Sequence, residues 1–500
     1  MGQWMRHEAP WLAALLVVAY WPLFYLLDAQ PLHLWDEAFT AVQAVELRGT
    51  SNWWVPTFDH SPDHIHTKPP LVTWLAALGM RVLGPTELAV RLPSALAGLA
   101  TVLLVYGIGA WAFSNRLLGF AAALILLTAP AYTGYHITRN GDTDALLTLW
   151  TTLACWCFYR WLLQPNRWQP LVGLGVALVL VVWTKGVQGL MILPGLALYA
   201  AVAGRFRHLL GWRFGLTTLA TLLAAASYYL IRELYDPGYL ALVARSELFS
   251  RFTEAFDGHT ASSTQYLDQA LSHRFVPWAW LVPVMIGGWA LRVRSHEHRL
   301  HAGWYFWPAL TYLALISVAE TKVDWYDAPL YPLLAYGVAV WVVEPLARLM
   351  GREHQALGMG LVAAFLLVPY ARTLDRIQKA DQPIEWFAVY YGSYCQRLQV
   401  ERPEVQRVVV LEHSFNPALY FYREQFRQTG QPLMLAVQRV QPDHRPPDWP
   451  VGAAVLTAEL HLIPWIETRY RIRLLHEWRS GIPHVHPFQT WLIESELSSE

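Results

Sequence analysis

Long apolar runs separated by short polar segments dominate the first three quarters of this 500-residue chain. Many approach twenty residues, the length at which an α-helix crosses the roughly 30 Å hydrocarbon core of a bilayer. A segment in lipid must satisfy its own backbone hydrogen bonds, which favours helices. The pattern predicts about eleven transmembrane helices, at residues 11–27, 87–112, 117–133, 143–163, 169–183, 187–203, 214–231, 275–291, 303–318, 328–346 and 356–370.

Composition agrees with that pattern. Hydrophobic residues make up 55% of the chain and charged residues only 15%, whereas soluble domains average about 25% charged residues. The formal net charge is zero, so no basic excess points to nucleic acid as a partner. We therefore predict a polytopic α-helical membrane protein whose first partner is the lipid bilayer.

The distribution of arginine predicts an orientation. If the N-terminus is cytoplasmic, the loops on that side are rich in arginine, as short cytoplasmic loops are. The first apolar run lacks a small-residue cleavage site, which favours a retained span over a cleaved signal peptide. The loops on the opposite side hold the unusual polar residues, and they are 28–69, 132–142, 184–186, 232–274 and 319–327.

Two domains are predicted, a transmembrane domain at 1–370 and a small soluble α/β domain at 371–500. In the second, Asn416 and Pro417 open a helix that runs to residue 426. Short apolar runs typical of buried strands lie at 408–411, 433–437 and 453–456, and later strand candidates follow near 471–478 and 490–495.

The long outer loop 28–69 is predicted to carry surface helices. After Asp36, the residues Phe39, Val42 and Val45 form one helical stripe, and Gly49 is a candidate C-cap. Such a stripe is typical of a helix that lies along the membrane surface.

An acid pair, Asp36 and Glu37, opens that helix directly after Trp35. Carboxylates in a first turn interact favourably with the helix dipole, so the pair could be a cap and nothing more. A carboxylate at the membrane surface could also deprotonate an acceptor hydroxyl or amine. Both interpretations remain open on these residues alone.

A second polar cluster, DHSPDHIHTKPPL, occupies residues 59–71 and includes His64, His66 and Lys68. Imidazole and carboxylate side chains together suit zinc or a similar divalent metal. The alternative is a solvated loop rich in turn-forming residues. The two prolines restrict the chain directly after Lys68.

Ionisable side chains recur in the other outer loops. Arg139, Asp142 and Asp144 precede an apolar span, and ionisable groups at such positions are candidate functional residues. Asp142 could instead cap the helix. Lys185 and Lys322 lie in short outer loops, where a lysine either binds a lipid phosphate or extends to lipid headgroups.

Taken in order, WDEAF, TKPPLVTWLAAL, TRNGDTDALLTLW, WTKG and KVDWYDAPLYP resemble the GT-C glycosyltransferases of the protein O-mannosyltransferase and lipid A aminoarabinose transferase type. The resemblance covers roughly residues 30–335. It implies a multi-pass enzyme of the bacterial inner membrane with its active site on the periplasmic side. Its partner would be a polyprenyl-phosphate-linked sugar, and single displacement would invert the anomeric carbon.

The resemblance also implies roles for individual residues. The catalytic carboxylates would be Asp36, with Glu37 beside it, and Asp144. The donor phosphate would be bound by Lys68, Arg139, Lys322 and Tyr326. A divalent metal would be held by His259, and His66 or His64 is a candidate to take the place of the family's second ligand.

Two positions depart from the family pattern. Phe39 replaces an arginine of the family's acidic motif, and Thr67 replaces the glutamate before the lysine. The second departure removes an expected metal ligand. The acceptor, whether lipid, glycan or protein, is left open. Two rival classes are a transporter, which would place polar groups near the bilayer midplane, and a membrane scaffold with a partner-binding soluble domain.

Overall fold

A computed structural model describes residues 2–33, 35–134, 136–245, 261–292, 295–343, 345, 355–379, 391–412, 415–430, 434–439, 446–457, 459–478 and 488–497. The chain divides into two compact units. The first comprises Met1–Leu27, Thr67–Val72 and Pro93–Gln378, and the second comprises Asp28–His66, Thr73–Leu92 and Lys379–Glu500.

Helices account for most of the described residues. The helices are α1 (Gly2–Phe24), α2 (Asp36–Leu47), α3 (Leu71–Leu83), α4 (Glu87–Gly107), α5 (Arg116–Leu127), α6 (Asp144–Leu163), α7 (Trp168–Lys185), α8 (Leu193–Val202), α9 (Trp212–Tyr235), α10 (Tyr239–Val243), α11 (Gln265–Gln269), α12 (Val282–Arg292), α13 (His296–Val318), α14 (Leu330–Val338), α15 (Gln355–Lys379), α16 (Tyr391–Glu401), α17 (Pro417–Thr429) and α18 (Ile463–Glu467). The strands are β1 (Thr57–Phe58), β2 (Ser61–Pro62), β3 (Arg407–Glu412), β4 (Met434–Arg439), β5 (Ala454–Thr457), β6 (Tyr470–Trp478) and β7 (Phe488–Glu496).

Several helices of the first unit are long and apolar enough to cross a membrane. Within the described residues there are four such stretches, or five if a pair bent by 116° is one span. Shorter apolar helices add to them, so about eleven spans stays a prediction. The four stretches are Glu87–Ala112, Asp144–Leu163, Trp168–Val202 and Trp212–Tyr235, and the bent pair is Gln265–Arg274 with Trp278–Arg292.

One stretch shows why runs of sequence and spans differ. The predicted spans at 169–183 and 187–203 correspond to α7 and α8, which are joined by the 3₁₀ segment Gly186–Ile192. Gly186 has a φ of 65°, a backbone conformation that glycine adopts without a steric penalty. The two predicted spans are therefore joined by a short apolar 3₁₀ segment and form one continuous apolar stretch, Trp168–Val202, instead of two runs separated by a polar loop.

The second unit contains a mixed five-stranded sheet in the order β4-β3-β5-β7-β6. β3 pairs in parallel with β4 and β5, whereas β7 pairs antiparallel with β5 and β6. Val408 and Val410 of β3 join one buried cluster, and Leu411 joins another. Because successive side chains of a strand point to opposite faces, both faces of this sheet are covered, which explains the continuous VVVL run.

Helix α17 begins where the sequence predicts but continues to Thr429, three residues beyond the predicted end at 426. The Asn416 side chain accepts a hydrogen bond from the backbone N–H of Ala418, and Pro417 occupies the first turn. Gly430 ends the helix with a φ of 67°. The strands predicted at 408–411, 433–437, 453–456, 471–478 and 490–495 are confirmed as β3, β4, β5, β6 and β7.

Helix α2 starts at Asp36 as expected but differs from the predicted surface helix. Every residue from Glu37 to Leu47 is buried, because α17 packs against it within the second unit. The Gln428 amide donates to the Val45 carbonyl at 3.1 Å. Gly49 is not in the left-handed conformation of the expected C-cap.

The predicted domain boundary after residue 370 falls inside α15, which ends at Lys379. The second unit also takes in Asp28–His66 and Thr73–Leu92 from the N-terminal part of the chain. The compact second unit is thus larger than the predicted domain at 371–500. That this domain is soluble stays a prediction.

Candidate functional site

Asp36 lies at the first turn of α2, beside an imidazole. One carboxylate oxygen of Asp36 is 3.3 Å from Nε2 of His66, and 25% of the Asp36 side chain is exposed. The His66 ring stacks on Phe39, with centroids 5.7 Å apart and planes at 8°. A carboxylate that is reachable from solvent and positioned by a half-buried partner can accept a proton from a bound nucleophile.

Glu37 has the opposite environment. Its side chain is fully buried, and its two oxygens accept hydrogen bonds from Nε and Nη2 of Arg91 at 2.8 and 3.0 Å. The backbone N–H of His33 donates to it at 2.8 Å. Burial acts to raise the pKa of Glu37, but the charge and hydrogen bonds of Arg91 prevail and hold this pKa below its ordinary value.

The three predicted metal ligands have different positions. His64 is exposed, and His259 lies outside the described residues. His66 is half-buried with both ring nitrogens inaccessible to solvent, and among the described residues no hydrogen bond of good geometry reaches either nitrogen. Its loop is held by Asp63, which accepts from the backbone N–H groups of Ile65 and His66 at 2.8 and 3.1 Å. An imidazole nitrogen beside a carboxylate suits a divalent cation.

In the first unit, Asp144 forms a buried ion pair with Lys185. The ammonium group donates to the Asp144 carboxylate at 2.6 Å, and the two side chains are 4% and 0% exposed. The Lys185 ammonium also lies 4.8 Å from the ring centroid of Tyr326. Lys68 acts electrostatically on the same carboxylate.

This pair contradicts the snorkelling interpretation of Lys185. The residue is the last of α7, and the turn at Gly186 keeps it inside the protein. Asp144 opens α6, so the two oppositely charged groups lie at neighbouring helix ends. WTKG was a visible signal, but the sequence alone did not indicate which carboxylate Lys185 would meet.

Asp142 precedes Thr143, the N-cap residue of α6, and the expected cap is not confirmed because the start of this helix has no side-chain capping hydrogen bond. The Asp142 carboxylate accepts from the backbone N–H of Thr143 at 2.6 Å and lies 2.9 Å from Nδ1 of His136. The latter contact was not predicted. His136 is buried, and its ring stacks on Trp325 at a centroid distance of 3.4 Å.

Two predicted phosphate-binding residues contact backbone carbonyls. The Arg139 guanidinium donates to the carbonyls of Pro22, Tyr25 and Leu26 at 2.8–3.2 Å, at the end of α1. Lysine 322 is 8% exposed and its ammonium donates to the Ala319 carbonyl. Arg139 thus satisfies carbonyls that a helix end leaves unpaired.

A further ion pair was missed by the sequence analysis. The Arg274 guanidinium donates to both oxygens of Asp327 at 2.8 and 2.6 Å, and the Tyr331 hydroxyl donates to the same carboxylate. Asp327 belongs to the KVDWYDAPLYP motif, and Arg274 lies in a predicted outer loop. An arginine outside, against the usual bias, is the signal that could have identified it.

Comparison with known sequences gives consistent similarities. A family model described as dolichyl-phosphate-mannose-protein mannosyltransferase matches residues 67–231. The undecaprenyl phosphate-alpha-4-amino-4-deoxy-L-arabinose arabinosyl transferase of Edwardsiella ictaluri is 30% identical over 385 residues, 73% of this chain and 66% of that protein. The enzyme of the same name from Pectobacterium carotovorum is 29% identical over 77% of this chain and 69% of its own length. The chain thus spans about two thirds of these relatives.

Solved structures are similar over a larger part of the chain. ArnT from Cupriavidus metallidurans, in a crystal structure bound to undecaprenyl phosphate, has a TM-score of 0.70 at 16% identity, covering 97% of this chain and 98% of that one. An Archaeoglobus fulgidus oligosaccharyltransferase has a TM-score of 0.51 at 14% identity, covering 85% and 64%. At such identities the likeness shows a common fold, as the resemblance to GT-C enzymes predicted.

Proposed function

Because the chain belongs to the GT-C glycosyltransferases of the protein mannosyltransferase and aminoarabinose transferase family, we propose that it moves a sugar from a polyprenyl-phosphate donor to an acceptor hydroxyl or amine. The observation that carries the assignment of the base is the partly exposed Asp36 carboxylate beside the half-buried His66 side chain. Relatives named as undecaprenyl phosphate-aminoarabinose transferases make that lipid-linked sugar the first donor to test.

The proposed chemistry is a single displacement. The Asp36 carboxylate accepts the proton of the acceptor nucleophile, which attacks the anomeric carbon of the donor. The bond between that carbon and the phosphate oxygen breaks, and its electron pair leaves with the polyprenyl phosphate. One displacement inverts the anomeric carbon, and a general base typically contributes about 10²–10⁴-fold to the rate.

The leaving phosphate needs positive charge near it, since cations stabilise the charge that develops there. We assign this role to Lys68, with Lys322 and Tyr326 assisting. Asp144 contributes by holding Lys185, whose ammonium also contacts the Tyr326 ring. An ammonium held in place by a carboxylate is pre-organised and needs little rearrangement when the phosphate arrives.

Two residues from the predicted site receive structural roles in this proposal. Glu37 is fully buried with both oxygens on Arg91, so it has no oxygen to offer an acceptor. Arg139 donates to carbonyls at the end of α1. Catalysis by a carboxylate at α2 is therefore assigned to Asp36.

A divalent metal such as zinc fits one part of the predicted ligand set. His66 offers a buried ring nitrogen 3.3 Å from an Asp36 oxygen, whereas Thr67 lacks the carboxylate of the family pattern and His64 is exposed. A metal bound by His66 and Asp36 would supply Lewis-acid stabilisation of negative charge. Equal metal content in purified wild type and His66→Ala would exclude His66 as a ligand.

The proposed location is the bacterial inner membrane, with the reaction on its periplasmic side. The apolar helices among the described residues and a lipid-linked donor both require a bilayer. The Arg-rich loops assigned to the cytoplasm place the polar outer loops, including 28–69, on the opposite face. The family assignment decides against a transporter or a scaffold.

The test is a transfer assay with purified protein in lipid nanodiscs. Mass spectrometry would follow release of polyprenyl phosphate from a panel of polyprenyl-phosphate sugars, with candidate lipid, glycan and peptide acceptors. Wild type is expected to release it, and Asp36→Asn to be slower by about 10²–10⁴-fold. Asp28→Asn is the matched control, because Asp28 is an exposed carboxylate of the same segment.

Each outcome has a definite meaning. Loss of release in Asp36→Asn with Asp28→Asn active supports the base. Equal release by wild type and Asp36→Asn would leave Asp36 only an electrostatic role in the first turn of α2. Transfer of sugar to an acceptor from a donor that carries no polyprenyl chain would contradict the donor class.

A further inference from the structure

Trp35, the residue before Asp36, has an unusual position. Its side chain is 52% exposed, whereas the helix that follows is buried from Glu37 onward. Its backbone has φ 68° and ψ −117°, which is unfavourable for any residue with a bulky side chain. Strain of this kind persists where the surroundings enforce it, and it concentrates at functional sites.

The Trp35 indole packs at the edge of a cluster of aromatic rings, which we call the aromatic wall and which comprises Phe39, Phe58, Phe415 and Tyr420. The Phe415 ring lies 6.3 Å from the indole, and Phe415 also contacts Phe39 at 5.9 Å and Phe58 at 5.5 Å. Tyr420 extends the wall, 4.8 Å from Phe58. All five residues belong to the second unit, so the exposed indole is supported by packed rings and has a defined orientation.

One ring of this aromatic wall, Phe39, occupies a position that is charged in the family pattern. Phe39 stands where the family pattern has an arginine, and its ring stacks on His66, the imidazole beside Asp36. Within the second unit, the side of the Asp36 carboxylate that faces His66 is therefore lined by aromatic rings. A ligand that binds here needs an apolar face for the rings and a hydroxyl or amine for Asp36.

We propose that Trp35 is an acceptor-binding residue, and that the acceptor group which stacks on it is a pyranose sugar. The indole face carries the negative part of the ring quadrupole, which attracts the weakly positive C–H face of a pyranose. Tryptophan also offers a large rigid surface at low conformational cost. With the ring stacked there, a neighbouring sugar hydroxyl is directed to Asp36. A peptide serine or a glycerol hydroxyl has no comparable C–H face that could stack on the indole.

The proposal rests on the proposed role of Asp36, but its test is binding and needs no turnover. Saturation-transfer-difference NMR would be recorded on the full chain in nanodiscs with methyl glycosides of hexoses and hexosamines. Protons on one face of the pyranose are expected to show saturation transfer with wild type and with Asp36→Asn. The signal should fall at least several-fold in Trp35→Ala and be largely retained in Trp35→Phe.

Trp212→Ala is the matched control, because Trp212 is also an exposed indole, 69% accessible, at the start of α9. It should bind the glycosides as wild type does. Thermal unfolding of each variant identifies any loss of fold, and Trp35→Phe keeps an aromatic ring if Trp35→Ala does not fold.

Three results would overturn the assignment of Trp35 as a sugar-binding residue. The first is equal saturation transfer in Trp35→Ala and wild type, and the second is no binding of any methyl pyranoside by wild type. The third is binding of a serine peptide that depends on Trp35 and that glycosides do not compete with. A failed transfer assay with normal Trp35-dependent glycoside binding would instead count against Asp36 as the base and would not contradict sugar binding by Trp35.

Discussion

At the scale of single residues, burial separates two acids that the sequence presents as equals. Asp36 and Glu37 are adjacent at the start of α2, but successive helical residues point about 100° apart. Asp36 remains partly exposed beside His66, whereas Glu37 faces inward and meets Arg91. Their chemistry therefore differs, because the Asp36 carboxylate is partly accessible whereas both oxygens of Glu37 accept hydrogen bonds from Arg91.

We predict that Glu37→Gln destabilises the protein by about 3–5 kcal/mol, since it leaves the Arg91 charge buried without its partner. In wild type the folded-state pKa of Glu37 lies below its ordinary 4.5. Its contribution to stability is complete above that ordinary value and is lost as pH falls through the lower folded-state pKa. Thermal unfolding in nanodiscs should show this loss in acid for wild type and a flatter profile for Glu37→Gln.

Glu297→Gln is the control, because Glu297 is 80% exposed. It should unfold like wild type at each pH. An acid-induced loss of the same size in wild type and Glu37→Gln would refute the assignment of this effect to the Glu37–Arg91 pair.

At the scale of elements, helix α2 depends on a partner almost four hundred residues later in the chain. The Tyr422 hydroxyl of α17 accepts from the Leu32 backbone N–H at 3.2 Å and donates to Glu87 at 2.9 Å. Apolar residues of both helices share one buried cluster. The segment that carries Trp35, Asp36 and His66 is thus ordered by packing within the second unit.

We predict that Phe426→Ala loosens α2. Phe426 is 1% exposed in the shared cluster, and truncation of a buried phenylalanine typically costs about 3–5 kcal/mol. Hydrogen exchange should become faster at the amides of residues 38–47 and stay unchanged in α6, which belongs to the first unit. Exchange that increases equally in α6 would contradict this local effect.

The matched control is Thr429→Ala on the same helix. Thr429 is exposed, and its hydroxyl bonds only to the carbonyls of its own helix among the described contacts. Its substitution should leave exchange in α2 as it is in wild type.

At the scale of the whole molecule, each compact unit is assembled from segments that are not contiguous in the sequence. The second unit combines residues 28–66, residues 73–92 and the C-terminal region, while α4 belongs to both units. Composition along the chain suggested one division near residue 370, because apolar runs end there. Contacts between distant segments produce another division, which a local pattern cannot show.

The sequence by itself determined much of the architecture and part of the site. Apolar run length indicated membrane helices, short apolar runs located the strands, and Asn416 with Pro417 marked the start of α17. Ordered motifs identified the family and pointed to Asp36, Lys68 and Asp144. These features depend on neighbours in the chain, which is why a single sequence reveals them.

Tertiary structure alone decided which charges meet and which side chains stay accessible. It paired Lys185 with Asp144, Arg274 with Asp327 and Glu37 with Arg91. It also left the Trp35 indole exposed on an aromatic wall. The physical reason is that an ion pair or a ring contact depends on distances of a few ångströms between segments far apart in sequence, and burial determines whether a charged group binds a partner or remains available for chemistry.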